Sequence, residues 1–70
     1  LGIKVVSYVE GRKEFNIPSD RPIKVKDLLY ILSIDPEQVG MIMSGERSLS
    51  LEDEVLPGSE IRLIPITIGG

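Results

Sequence analysis

The residues best placed to do chemistry are the last two, Gly69 and Gly70. Glycine is about 7% of residues at average usage, so a Gly-Gly end arises by chance roughly 0.5% of the time. The pair follows directly on an extended apolar run, Ile61 to Ile68. Without side chains it can pass through a narrow channel and bring the α-carboxylate of Gly70 to another protein's nucleotide or thiol. Gly69 adds backbone conformations closed to other residues. The competing reading is an ordinary frayed end. At the other end, Leu1 stands without an initiator Met, which reads as processing or trimming.

No side chain rivals that carboxylate. The 70 residues include no cysteine and no histidine, which excludes disulfides, cysteine-type zinc sites, thiol catalysis and imidazole acid-base chemistry. Glu52-Asp53-Glu54 offers carboxylates without a neutral ligand and reads as a solvated turn, so no metal is expected. Ser44-Gly45 lacks the glycine-rich run and following Lys of a phosphate loop. No nucleophile-base or paired-carboxylate spacing is present either. The chain therefore reads as a non-enzyme, with no catalytic side chain and no cofactor. Lys4, Lys13, Lys24 and Lys26 read as surface lysines, or as isopeptide acceptors if the chain is also conjugated.

Composition narrows the setting. Hydrophobic residues make up 41% of the chain, with one Phe and two Tyr, so the core must be built from Ile, Leu and Val. No apolar run reaches the roughly 20 residues of a membrane span, and no signal-peptide pattern opens the chain. A cytoplasmic protein that does not meet a membrane is expected. The net charge of −3 is uneven: residues 1–35 carry six bases and five acids, residues 36–70 two bases and six acids. That balance argues against direct nucleic-acid binding, which needs a basic patch. An acidic surface suits a protein partner with a basic docking site, or serves solubility alone.

Ile3 to Val9 is β-branched and aromatic and reads as a strand, followed by a hairpin turn at Glu10-Gly11. Its register is open, since Ile3/Val5 and Val6/Tyr8 both offer an inward face. Lys13 to Ile17 forms the second strand, with Phe15 and Ile17 on one side, and Pro18 ends it. Val25, Leu28, Leu29 and Leu32 follow the i, i+3, i+4, i+7 spacing of a helix over 25–32, closed by Asp35-Pro36. Lys24 stands at the cap position and cannot accept a backbone N–H. In the third strand Val39, Met41 and Met43 alternate as core filler, leaving Gly40, Ile42 and Ser44 on the other face. Ser44-Gly45-Glu46 turns the chain, and Leu49 to Leu56 holds a short strand or a helical turn. Pro57-Gly58 turns into the last strand, Ser59 to Ile66, with Ile61 and Leu63 inward. This order predicts an α+β, β-grasp (ubiquitin-like) fold, a mixed four- to five-stranded sheet on one helix. Residues 1–65 form the domain and 66–70 a flexible tail ending Gly-Gly.

Three motifs carry a family resemblance. Val25, Asp27-Leu28-Leu29 and Leu32 match a helix pattern of Val, an acid and paired leucines. Leu56-Pro57-Gly58-Ser59-Glu60-Ile61 matches a "Leu-x-Gly-Asp-Glu-Ile/Val" turn with Ser59 in place of Asp. Pro65 through Gly70 matches a proline-led tail. Together they resemble the ThiS/MoaD family of ubiquitin-like sulfur carriers over nearly the whole chain. Pro65 is similar to the molybdopterin-synthase small subunit. Compact length and Ile34-Asp35-Pro36-Glu37-Gln38-Val39 are similar to ThiS or the archaeal ubiquitin-like small modifiers.

The resemblance implies a partner, an ATP-dependent ubiquitin-activating-type enzyme that adenylates the Gly70 carboxylate. Sulfur attack then leaves a thiocarboxylate for a sulfur-accepting synthase or thiolation enzyme in thiamine, molybdopterin or tRNA-thiolation pathways. Conjugation to target lysines through Gly70 uses the same adenylate, and a plain interaction domain is the third possibility. Ile66, Thr67 and Ile68 would lie extended in the partner's groove. Strand alternation predicts a docking face of Ile42 and Ile64 rimmed by Arg62, joined by Val6 or Tyr8.

Overall fold

The computed structural model describes residues 1–67. In chain order it contains β1 (Gly2–Ser7), β2 (Lys13–Pro18), β3 (Ile23–Lys24), α1 (Val25–Ile31), a 3₁₀ turn (Pro36–Gln38), β4 (Val39–Ser44), β5 (Arg47–Leu49), β6 (Glu54–Val55) and β7 (Glu60–Pro65). Five strands form one mixed sheet in the order β2-β1-β7-β4-β5, with β1 and β7 parallel and the other neighbours antiparallel. The short β3 and β6 pair separately. This is the α+β, β-grasp arrangement: one helix held across one face of the sheet.

The core is aliphatic, as composition requires. Ile3 and Val5 of β1, Ile17 of β2, Val25, Leu28 and Leu29 of α1, and Ile61 and Leu63 of β7 pack together. Burying each such side chain contributes about 1.5–3 kcal/mol. Ile3 and Val5 are thus the inward pair of β1, while Val6 is also buried, on the opposite face. The segment Leu49 to Leu56 carries the end of one short strand and the whole of another, joined by a turn in which the Asp53 N–H bonds Ser50 O at 3.1 Å.

The helix ends are closed by backbone groups. Lys24 stands at the N-cap without a side-chain cap bond. The carbonyls of Asp53 and Leu51 accept the Val25 and Lys26 N–H groups instead, at 2.9 and 3.0 Å. The segment read as a solvated turn therefore caps the helix from across the fold. Glu52, between those carbonyls, pairs with both Lys24 and Lys26. At the other end, Asp35-Pro36 does not close α1. Ser33 does, at φ 58°, with its N–H bonded to Tyr30 O and that of Ile34 to Leu29 O. That left-handed Schellman closure leaves Asp35 to cap the next turn, its carboxylate accepting the Glu37 N–H at 2.9 Å.

One sequence expectation is inverted. Ile42, expected on the outer face, is buried against the helix, whereas Met41, expected in the core, is half exposed and Met43 lies on the outer face with it. The cause is a bulge: Val39 pairs with Pro65 and Met41 with Ile64, so two residues of β4 answer one of β7. An extra residue flips every later side chain to the other face. Gly40 makes the bulge possible, because a Cβ there would stand 3.1 Å from Ile66 Cα and 3.2 Å from Pro65 O.

Gly40→Val is therefore expected to destabilise the protein by about 1–3 kcal/mol, as overpacking against a fixed backbone does. A fall in the urea midpoint would show this, with faster amide exchange at Ile66. An unchanged midpoint would contradict the bulge.

Candidate functional site

The route to Gly70 starts at the centre of the sheet. β7 is the middle strand, and its register is set at its start, where Gly58 turns at φ 88° and donates its N–H to Gly2 O at 2.8 Å. Lys4 N–H then bonds Ser59 O, and Tyr8 N–H bonds Leu63 O farther along. β7 ends at Pro65, which has no N–H to continue a ladder. The Ile66 N–H still reaches the body, donating to Gln38 O at 3.0 Å. Ile66 and Thr67 are exposed. Ile68, Gly69 and Gly70, three of the tail residues singled out from the sequence, lie outside the described residues.

The outer face of the sheet has two halves. Over β2, β1 and β7 runs a continuous chain of charge. Glu14 accepts from Arg12 at 2.8 Å and from Lys4 at 3.1 Å; Lys4 reaches Glu60 at 4.0 Å, and Glu60 meets Arg62 at 3.6 Å. Val6 opposes both Glu14 and Arg62 in register, and the stems above it leave it 3% exposed. Over β7 and β4 apolar side chains gather beside the Glu60–Arg62 pair. Ile64 pairs with Met41, and Met43 lies beside Arg62. A groove of about 510 Å³ opens there, lined by Met43, Gly45, Glu60, Arg62 and Ile64.

Arg62 and Ile64 are thus exposed on this face, with Met41 and Met43 where Ile42 was expected. Tyr8 is half-buried, and Val6 lies under charged stems and is not open to a partner. The five charges of the chain sum to +1, in a protein of net −3. The acidity of the chain therefore lies away from these paired charges. The signal that could have shown the exposed methionines was Gly40, since a glycine inside a strand pattern marks a bulge.

Among the described residues no group of three or more acidic, His or Cys side chains is placed to hold a metal, and no helix is long and apolar enough to cross a membrane. The Lys4 and Arg12 hydrogen bonds hold the Glu14 carboxyl below its ordinary value of 4.5, and those of Lys26 and Lys24 do the same for Glu52.

No family model matches the chain, and no curated protein matches it. Among solved structures it is similar to Caldiarchaeum subterraneum ubiquitin, with 21% identity and a TM-score of 0.55, over 100% of this chain and 98% of that one. The likeness shows the ubiquitin-like β-grasp fold.

Both lowered carboxyls stabilise the folded state above the unfolded carboxylate value, and that contribution disappears as pH falls through their lower folded values. The urea midpoint is expected to drop as pH falls below 4.5, and to drop less in a Glu14→Gln/Glu52→Gln variant. An identical pH profile for variant and wild type would contradict these pairings. Because the pairs are exposed, molar salt is expected to remove most of the difference.

Proposed function

We propose that this chain is a protein co-substrate, a sulfur carrier whose reactive group is the Gly70 carboxylate. The observation that carries the reading is a Gly-Gly pair placed four residues beyond the central strand of a ubiquitin-like fold. A carboxylate is a poor electrophile and must be activated. In the proposed reaction its oxygen attacks the α-phosphorus of ATP on a ubiquitin-activating-type enzyme, and pyrophosphate leaves. Sulfide then adds at the acyl carbon, AMP departs, and Gly70 ends as a thiocarboxylate. A sulfur-accepting synthase or thiolation enzyme, in thiamine, molybdopterin or tRNA-thiolation chemistry, consumes it.

The tail's β-branched Ile66, Thr67 and Ile68 favour an extended shape in the enzyme's groove. Arg62, Ile64, Met41 and Met43 form the proposed docking face, from which that tail departs. A second reading is a modifier joined to target lysines through Gly70. It is favoured by the likeness to a protein named a ubiquitin. The same adenylate serves both, so the fate of the acyl group separates them.

Incubation with a cognate adenylating enzyme, ATP and sulfide is expected to add about 16 mass units at Gly70, oxygen replaced by sulfur. Conjugate ladders on other proteins, without that gain, would replace the carrier with the modifier. Neither product from a demonstrably active enzyme would leave a β-grasp interaction domain. Ile64→Asp is expected to slow the reaction at least about tenfold while the variant stays folded, with only a modest fall in the urea midpoint from the lost Ile64–Met41 pair, if the outer face docks as proposed.

A further inference from the structure

On the side of the molecule away from the outer sheet face, α1 borders an open groove of about 410 Å³. Its walls are Lys26, Leu29 and Tyr30 from the helix and Ile34, Asp35 and Pro36 from the chain that follows. Leu29 is the buried floor, and Tyr30 stands 86% exposed at the rim. A fully projecting aromatic is unusual in a chain with so few, and such rings are common interface anchors. The charges around it are of both signs. Lys26 lies one helical turn before Tyr30, about 6 Å along the axis, and Asp35 lies beyond the helix's C-terminal end.

We propose that this groove is a self-association surface whose occupant is a second copy of the same chain. A two-fold axis through Tyr30 lays each ring into the other copy's groove. The same axis sets Lys26 of one copy against Asp35 of the other, twice. Isologous pairing demands this reciprocity, in which residue i meets j and j meets i. Each charge has capacity for the new contact. Lys26 donates one N–H to Glu52 at 2.9 Å and keeps two. Asp35 uses Oδ1 for the Glu37 N–H, which leaves Oδ2 to accept. The proposal does not depend on the chemistry of Gly70, and the outer sheet face remains open in the pair.

A contact confined to this one groove belongs with the small interfaces, below the roughly 1,200 Å² of stable complexes, so the pair is weak and forms only at high protein concentration. Sedimentation velocity of the full chain from about 10 µM to about 1 mM tests it without any enzyme. The wild type is expected to shift from monomer to dimer, and Tyr30→Ala to remain monomeric. Lys26→Glu and Asp35→Lys are each expected to weaken association at least tenfold, because each homodimer then holds two like-charge contacts. An equimolar mixture of the two variants restores opposite charges at both contacts, and is expected to associate at least as well as wild type. If Asp35→Lys unfolds by circular dichroism, Asp35→Asn keeps the Oδ1 acceptor, removes the charge and is expected to weaken association likewise. A wild type that stays monomeric at the highest concentration overturns the proposal. So does a Tyr30→Ala variant that still dimerises, or a mixture no better than its components; if the groove instead takes a different protein, the first of these results is the one seen.

Discussion

The structure depends on the parallel contact between β1 and β7, the first and last strands, at the centre of the sheet. Parallel neighbours need a long crossover, and the chain between them supplies it as helix, returning strands and short β-pairs. The contact joins residues from opposite ends of the sequence, Lys4 with Glu60 and Ser7 with Leu63. Once it forms, the inward row of Ile3, Val5, Ile61 and Leu63 is a continuous surface for Leu28 and Leu29 to cover. It also makes β7 the middle strand of the sheet and not an edge strand. The residues leading to Gly69-Gly70 therefore follow a strand that is paired on both sides.

Two local devices refine that frame. The bulge at Gly40 rotates β4 so that Ile42 completes the core and Met41 and Met43 join Ile64 outside. The same close approach brings the chain at Pro65 and Ile66 against Gly40, and Gln38 O takes the Ile66 N–H. The departure of the tail and the composition of the outer face thus share one cause. The second device is the 51–53 loop, whose carbonyls close a seven-residue helix that has no capping side chain of its own. So short a helix has little intrinsic stability and depends on such tertiary contacts.

Much of the fold was legible because its signals are local. The 3.6-residue stripe from Val25, the Glu10-Gly11 and Pro57-Gly58 turns, and the Ile61/Leu63 alternation each declare an element without reference to any other. What failed was non-local. A bulge is defined by what the partner strand does, so a period-2 reading of Val39 to Ser44 put Ile42 outside and the methionines inside. Ser33 was invisible as a helix stop because a non-glycine at positive φ is uncommon, and the proline three residues later was the more obvious breaker. The exposed positions of Arg62 and Ile64 agree with simple alternation, since β7 carries no bulge of its own. The charge of their face did not follow from the net charge, because pairing gathers Lys4, Arg12 and Arg62 from three separate stretches of sequence.

The central claim is that the carboxylate of Gly70, presented by this fold, is the group on which a partner enzyme acts. ATP–pyrophosphate exchange by a cognate adenylating enzyme tests it most directly, because exchange reports the acyl-adenylate before sulfur or lysine is involved. The account predicts exchange with the chain ending in Gly69-Gly70 and none with a chain ending at Ile68. Equal exchange with both would contradict it.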